Sequence, residues 1–133
     1  MEKPRILIDT TILIDYYRKK IRNKSIFYQL SLKYNFVIST ITEFEFLVGF
    51  KVVNQKFGAD IMKKMLIIPF DSKFVREGCK IHNELKTINK LIPYRDIFIA
   101  ATARLNELEL ATLNTKHFHR IKNLKLIKLE KYK

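Results

Sequence analysis

The fold is decided by one stretch, YRDIFIAATA at residues 94–103, because its spacing predicts a helix buried on most sides. Its alanines are small enough to let a neighbouring strand approach closely. Asp96 is the only acid in the stretch. A carboxylate at a helix start can serve as an N-cap that accepts a hydrogen bond from an unpaired backbone N–H. Asp96 would instead belong to a functional site if other acids of the chain lie beside it.

Short apolar runs predict strands before and after this helix. They cover residues 5–9, 34–39, 65–70, 109–113 and 124–129. The third run is expected to be buried, whereas Lys125 and Lys128 suit the last strand to an exposed edge. Helical spacing marks residues 12–17, 25–32, 40 to about 53 with a bend near Gly49, 72–86, 94–108 and 115–121, and residues 58–64 end a loop or open a short helix.

Strands alternate with helices along the whole chain. This order predicts an α/β protein with a single domain over residues 1–133 and a mainly parallel central sheet between two helical layers. Thr10 and Thr11 are placed to cap the first helix, and Asp15 is expected on its solvated face.

The chain is strongly basic. Among its 133 residues, 26 Lys and Arg oppose 13 Asp and Glu, giving a formal net charge of +13. This balance predicts a partner such as nucleic acid, an anionic membrane or an acidic protein, unless the lysine-rich surface serves solubility alone. Nucleic acid is favoured, because no basic helix has the clean apolar face that membrane binding needs. Basic residues at positions 18–24 follow Tyr16 and Tyr17, and they predict either a nucleic-acid surface or an ordinary charged helix end.

Cys79 is the only cysteine, so no internal disulfide can form. This fits a reducing compartment, with Cys79 as a buried, small apolar residue. No signal peptide and no membrane-spanning apolar run is readable. The expected location is the cytoplasm.

Polar side chains gather where the predicted strands end. Asp9, Glu45, Asp96 and Asn114 all follow a strand or begin the next helix, and parallel sheets bind ligands at this edge. Carboxylates brought together repel one another unless they bind protons or cations. Oxygen ligands without a Cys or His set point to Mg²⁺ or Mn²⁺.

Each candidate also has a structural explanation. Thr42 and Glu45 have the spacing of a capping box. Glu43 competes with Glu45, but the two differ by roughly 200° around a helix, so only one can face the site. His117 and His119 are either ligands or loop residues, and the loop interpretation is favoured.

Four segments together carry a resemblance to a known family. They are IDTTILID at residues 8–15, ISTITEFEFLVG at 38–49, DIFIAATA at 96–103 and LATLNTKHF at 110–118. In this order they resemble a PIN-domain ribonuclease, specifically a VapC-type toxin. The resemblance implies Asp9, Glu45 and Asp96 as ligands of Mg²⁺ or Mn²⁺ in a site that hydrolyses RNA.

The resemblance has further implications. The family commonly has Asp at its fourth position, where this chain has Asn114, so a second metal ion is in question, and Thr112 contributes a hydroxyl. A homodimer with a basic RNA groove and a cognate antitoxin partner are implied by analogy.

Rival functions can be weighed from the same residues. A haloacid-dehalogenase-like phosphatase needs a second Asp where this chain has Thr11. A receiver-like phosphoacceptor needs paired acids near the first strand and a strand-end lysine. The remaining alternative is a PIN-like module that binds RNA without cutting it, for which Asp9, Glu45 and Asp96 would be unnecessary.

Overall fold

A four-stranded sheet forms the centre of the structure, a computed structural model that describes residues 2–50 and 54–132. The strands are β1 (Arg5–Ile8), β2 (Asn35–Ser39), β3 (Leu66–Ile68) and β4 (Leu110–Ala111). They lie in the order β3-β2-β1-β4, and all neighbouring pairs are parallel. Their carboxyl ends therefore share one edge of the sheet.

Helices cover both faces of this sheet. They are α1 (Thr10–Arg18), α2 (Ile26–Ser31), α3 (Thr40–Val48), α4 (Gln55–Met62), α5 (Ser72–Thr87), α6 (Tyr94–Leu105) and α7 (Thr115–Phe118). Successive strand side chains point to opposite faces: Ile6 and Ile8 pack with α1 and α2, whereas Leu7 packs with α5 and α6. The predicted three-layer α/β/α arrangement with a parallel sheet is confirmed.

Helix α6 has the predicted buried character. Ala100, Ala101 and Ala103 have no exposed surface. The helix ends at Leu105 rather than at residue 108, because Glu107 adopts a left-handed backbone with φ 54° and the Leu108 N–H returns to the Ala103 carbonyl at 2.9 Å. This six-residue return is a standard C-terminal stop.

Three strand predictions were wrong in extent. The run at residues 109–113 forms only β4, Leu110–Ala111. The run at residues 65–70 forms only β3, which is partly exposed because it lies at the sheet edge. The run at residues 124–129 forms a single bridge, between Leu126 and Leu110. Its partner β4 is two residues long, so little backbone is available for further pairing.

Other local predictions also need correction. Helix α3 ends at Val48, and residues 51–53 of the predicted helix lie outside the described residues. Cys79 is exposed, because Gly78 and Ile81 take the buried face of α5. Asp15 is not on a solvated face: its carboxylate accepts the Ile26 N–H at 3.1 Å, at the start of α2.

None of the helices within residues 2–50 and 54–132 is long and apolar enough to cross a membrane.

Candidate active site

The candidate site lies at the carboxyl edge of the sheet. Asp9 directly follows β1 and Thr112 directly follows β4, while these two strands pair with each other. Helix α3 starts immediately after β2 and carries Glu45, and α6 brings Asp96 from the opposite layer. The topology therefore delivers the predicted acids to one edge.

Asp9 is the most enclosed of these acids, with 6% of its surface exposed. One carboxylate oxygen accepts hydrogen bonds from the N–H and hydroxyl of Thr11, at 3.1 and 2.5 Å. The other accepts from the Thr112 hydroxyl at 2.5 Å. Asp9 is thus also the N-cap of α1, which was predicted to be capped by Thr10 and Thr11.

Burial raises the pKa of the Asp9 carboxyl above its ordinary value. The hydrogen bonds from Thr11 and Thr112 lower this pKa, and the negative charge of Asp96 raises it again. The net shift is upward. Asp9 and Asp96 are therefore close enough to repel each other, and a nearby cation would favour the charged form of Asp9.

Asp96 lies in the first turn of α6 but does not cap it. Pro93 holds the N-cap position and makes no side-chain hydrogen bond there. The Asp96 carboxylate instead lies 2.6 Å from Nδ1 of His117. The capping explanation for Asp96 is wrong, and its side chain points towards α7.

Glu45 is held by two contacts. Its Oε1 accepts a hydrogen bond from the Thr10 hydroxyl at 2.9 Å, and its Oε2 lies 3.5 Å from Nε of Arg95. The capping-box explanation is wrong, because α3 is capped by Ser39.

Glu43 is half-buried and makes no side-chain hydrogen bond or ion pair within residues 2–50 and 54–132. Glu45, by contrast, contacts the immediate sequence neighbours of both aspartates, Thr10 and Arg95.

His117, for which the sequence favoured a loop position, contacts the site residues. It lies on α7 with Nδ1 2.6 Å from Asp96 Oδ2 and 2.9 Å from the side-chain amide of Asn114. The signal was the three-residue spacing of Asn114 and His117, which puts both on one side of a helical turn. His119, by contrast, is exposed and contacts the Thr115 carbonyl at 3.2 Å.

The predicted residues converge only in part. His117 contacts both Asp96 and Asn114, and Thr112 accepts the Asn114 backbone N–H at 3.0 Å while donating to Asp9. Across the described part of the chain, however, no three His, Cys, Asp or Glu side chains are arranged closely enough to hold a metal ion. Glu45 reaches the aspartates through Thr10 and Arg95 rather than directly.

An open cleft of about 610 Å³ adjoins this edge of the sheet. It is lined by Thr11, Ile14, Asp15, Arg18, Lys19, Leu113 and Asn114. Thr11 and Asn114 thus line the same cleft as two exposed cations at the end of α1, Arg18 and Lys19.

Arg22 and the two tyrosines of this region pack against aromatic rings, whereas Lys20 and Lys24 are exposed. The Arg22 guanidinium lies 4.6 Å from the centre of the Phe57 ring. Tyr16 and Tyr17 are half-buried against Phe27 and Phe50, with ring centres 4.6 and 4.9 Å apart. The predicted stacking surface is therefore part of the core, and Arg18 and Lys19 are the cations that face the cleft.

Comparisons with known proteins show which sequences and folds this chain resembles. Residues 6–124 match the family described as PIN domain. The chain is 34% identical over 126 residues to Ribonuclease VapC1 of Methanocaldococcus jannaschii, covering 94% of this chain and 87% of that protein.

Solved structures show the same similarity. VapBC-1 of nontypeable Haemophilus influenzae matches with a TM-score of 0.78 and 26% identity, over 94% of this chain and 98% of that chain. VapBC2 of Rickettsia felis, bound to a DNA fragment from their promoter, matches with a TM-score of 0.78 and 25% identity, over 92% and 97% of the two chains.

Proposed function

This chain belongs to the PIN-domain family, and we propose that it is a metal-dependent endoribonuclease, the toxin of a VapBC-type toxin–antitoxin pair. Residues 1–133 form its single PIN domain. The observation that carries the proposal is the placement of Asp9, Glu45 and Asp96 at one sheet edge beside a cleft with exposed cations. The ribonuclease name of the 34% identical relative supports the same activity.

The donor set of the site suits a divalent cation. Burial, and to a smaller degree the charge of Asp96, raises the pKa of Asp9, so a cation at this edge would favour its charged form. Carboxylate oxygens are the ligands that Mg²⁺ and Mn²⁺ prefer. Asp9, Glu45, Asp96 and Asn114 would hold the ion. When bound, it would supply Lewis acidity and positive charge for phosphodiester hydrolysis.

The protein's own groups prepare the site for this cation. The hydroxyls of Thr11 and Thr112 fix both oxygens of Asp9, and Thr10 orients Glu45. Arg95 neutralises Glu45 while leaving its own side chain 65% exposed, where it is accessible to a phosphate. These hydrogen bonds limit the orientations of Asp9 and Glu45, but the three acids must still move closer together to bind one ion.

RNA reaches the acidic edge through the basic surface. Phosphates are attracted by the overall charge of +13, and Arg18 and Lys19 on the cleft wall bind them next to Asn114. These contacts position the RNA backbone without distinguishing one base sequence from another. The alternative, an RNA-binding module without activity, has no support from the relatives, which carry the name ribonuclease.

The expected partners follow from the same relatives. The matching structures carry the names VapBC-1 and VapBC2, and we expect this chain to bind a cognate antitoxin. A basic toxin suits an acidic antitoxin segment, because opposite charges steer association. A homodimer is proposed by analogy alone.

The test is cleavage of a mixed RNA pool by the purified protein in Mn²⁺ and in EDTA. Cutting is expected in Mn²⁺ and not in EDTA. Glu45→Gln should lower the rate by about a hundredfold or more, the scale seen when a group that stabilises developing charge is removed.

Glu43→Gln is the matched control, since it makes the same change two residues away on the same helix. It should leave the rate unaltered. Cutting that persists in EDTA, or equal losses in the two variants, would contradict the proposed site.

A further inference from the structure

A second pocket, of about 370 Å³, opens at the amino edge of the sheet, opposite the edge that carries the candidate site. Asn35, the first residue of β2, lies on its wall. Ser31 and Lys64 supply its other polar groups. The remaining lining side chains are all aromatic: Tyr16, Phe27, Tyr28, Tyr34 and Phe36. The pocket is therefore separate from the acidic site and combines rings with polar groups.

The aromatic rings of this pocket differ in what they contact. The ring centre of Phe27 lies 4.6 Å from that of Tyr16 and 4.7 Å from that of Phe36, so these three pack on one another. Tyr28, by contrast, packs on no other aromatic ring within residues 2–50 and 54–132, and 40% of its surface is exposed. One ring at the pocket is thus open to stacking by a planar group from solution.

The polar groups of the pocket suit a nucleotide. Lys64 is exposed and forms no ion pair in the part of the chain that the structure describes. Lys3 donates from Nζ to the Ser31 carbonyl at 2.8 Å, which brings a second ammonium group to the rim. The exposed side-chain amide of Asn35 offers a donor and an acceptor, the groups that pair with base edges. Among the described residues, no carboxylate lines the pocket.

Positive charge extends from the candidate site to this pocket. Arg18 and Lys19 line the cleft beside Asn114. A few residues further along the chain, the Arg22 guanidinium lies 5.6 Å from the centre of the Tyr16 ring, and Tyr16 lines the pocket. A polyanion bound in the cleft would therefore find further cations in the direction of the pocket.

We propose that this pocket binds an unpaired base of single-stranded RNA away from the bond that is cut, with the base stacked on Tyr28 and its phosphate held by Lys3 and Lys64. Stacking on an aromatic ring accepts any base, because every base has a flat face. Binding of a remote part of the substrate helps to hold the reacting part in place. This inference rests on the proposed function, because it assigns a second contact to the same RNA.

Fluorescence anisotropy tests the stacking contact with a labelled single-stranded RNA of about ten nucleotides, a length typical of single-strand sites. EDTA is present so that the RNA is not cut. Tyr28→Leu should weaken binding by about fivefold or more, the low end of the loss of one base–aromatic stack. Tyr28→Phe is the matched control, because it keeps the ring, and it should bind as the wild type does. Equal affinity of the wild type and Tyr28→Leu would overturn the inference and leave the pocket to a protein partner.

The salt dependence of the same binding tests the phosphate contact. Lys64→Gln should lower the slope of log affinity against log salt by about 0.7, the value for one phosphate of a single strand. Lys63→Gln makes the same charge change one residue earlier, at an ammonium group that lies 4.0 Å from Asp60 and does not line the pocket. It should change the slope less. Equal changes in the two variants would overturn the phosphate contact at Lys64.

Photochemical crosslinking avoids dependence on any variant that folds poorly. RNA that contains thiouridine, irradiated on the wild-type protein in EDTA, should become attached to the peptide that contains Tyr28. Free uridine monophosphate should compete only weakly, since it lacks the further contacts with Arg18 and Lys19. Crosslinks confined to other peptides would overturn the inference, and a monophosphate that binds as tightly as RNA would overturn RNA as the ligand.

Failure of this inference is distinguishable from failure of the proposed function. In RNA cutting with Mn²⁺, Tyr28→Leu should raise KM and leave kcat unchanged, because the pocket does not touch the reacting atoms. Metal-dependent cutting with an unchanged KM in Tyr28→Leu would overturn only the role of the pocket. Crosslinking at Tyr28 without any cutting would overturn only the ribonuclease proposal.

Discussion

Three threonine hydroxyls donate hydrogen bonds to two acids of the candidate site, Asp9 and Glu45. Thr11 and Thr112 each donate to a different oxygen of Asp9, and Thr10 donates to Glu45. Hydrogen bonds to a carboxylate stabilise its charged form, but burial and Asp96 outweigh them at Asp9. The metal-free protein is therefore expected to be destabilised by its own site.

Asp9→Asn should stabilise the metal-free protein at neutral pH. Because the pKa of Asp9 lies above its ordinary value of 3.8, the folded protein binds this proton more tightly than the unfolded chain does. The free energy of unfolding therefore falls as pH rises from about 3.8 through the raised pKa, and it stays lower at pH 7. Asn cannot ionise and remains a good N-cap.

The measurement is the melting temperature in EDTA at pH 7, which should be higher for Asp9→Asn than for the wild type. Mn²⁺ should then raise the melting temperature of the wild type more than that of the variant, since a ligand stabilises the state that binds it. Asp60→Asn, at an exposed position on α4, is the control. A lower melting temperature for Asp9→Asn in EDTA would show that ionising the buried Asp9 carboxylate does not destabilise the fold.

At the scale of elements, α6 connects the site to the second helical layer. Its first turn presents Asp96 to the site, and its last turn presents Arg104 to α5. The Arg104 side chain is 11% exposed and lies 2.6 Å from Glu77 and 3.1 Å from Glu84. Desolvation lowers the pKa of Arg104, but the hydrogen bonds to both glutamates raise it further.

Arg104→Ala should destabilise the fold by about 3 kcal/mol, because it removes the enclosed partner of the Glu77 carboxylate and leaves it only the exposed Lys80, 3.7 Å away. Chemical denaturation measures this loss. Arg76→Ala, an exposed position on α5, should change the stability far less. Similar losses in the two variants would show that the pairing contributes little.

The strands and helices were predictable from the sequence, but the contacts between distant helices were not. Continuous apolar runs predicted β1 and β2, and the alternation of strands with helices predicted both helical layers. The contact of His117 with Asp96 was not predictable in the same way, because it depends on α7 docking against α6. The Glu45 contact with Arg95 likewise joins α3 to α6 and has no local signature.

At the scale of the whole molecule, some cations pack against other side chains and others line the cleft of the candidate site. The net charge of +13 predicted a polyanionic partner, but it did not say which cations face that partner. Packing of Arg22 on Phe57 removes one of them from the predicted cluster. Arg18 and Lys19 remain on the cleft beside Asn114.

The double variant Arg18→Gln with Lys19→Gln should weaken RNA binding and reduce its salt dependence. Loss of two phosphate contacts to single-stranded RNA lowers the slope of log affinity against log salt by about 1.4. Lys86→Gln with Lys90→Gln makes the same charge change at exposed positions of another region. An equal effect of both pairs would mean that the overall charge, and not the cleft, binds RNA.

The most direct test of the account compares binding and cutting of the same RNA by the wild type and Asp96→Asn. Removal of one carboxylate disables the acidic edge but leaves every Lys and Arg in place. The account predicts that Asp96→Asn binds RNA in the presence of Mn²⁺ as tightly as the wild type and does not cut it. A variant that cuts at the wild-type rate would exclude Asp96 from the mechanism and contradict the proposed active site.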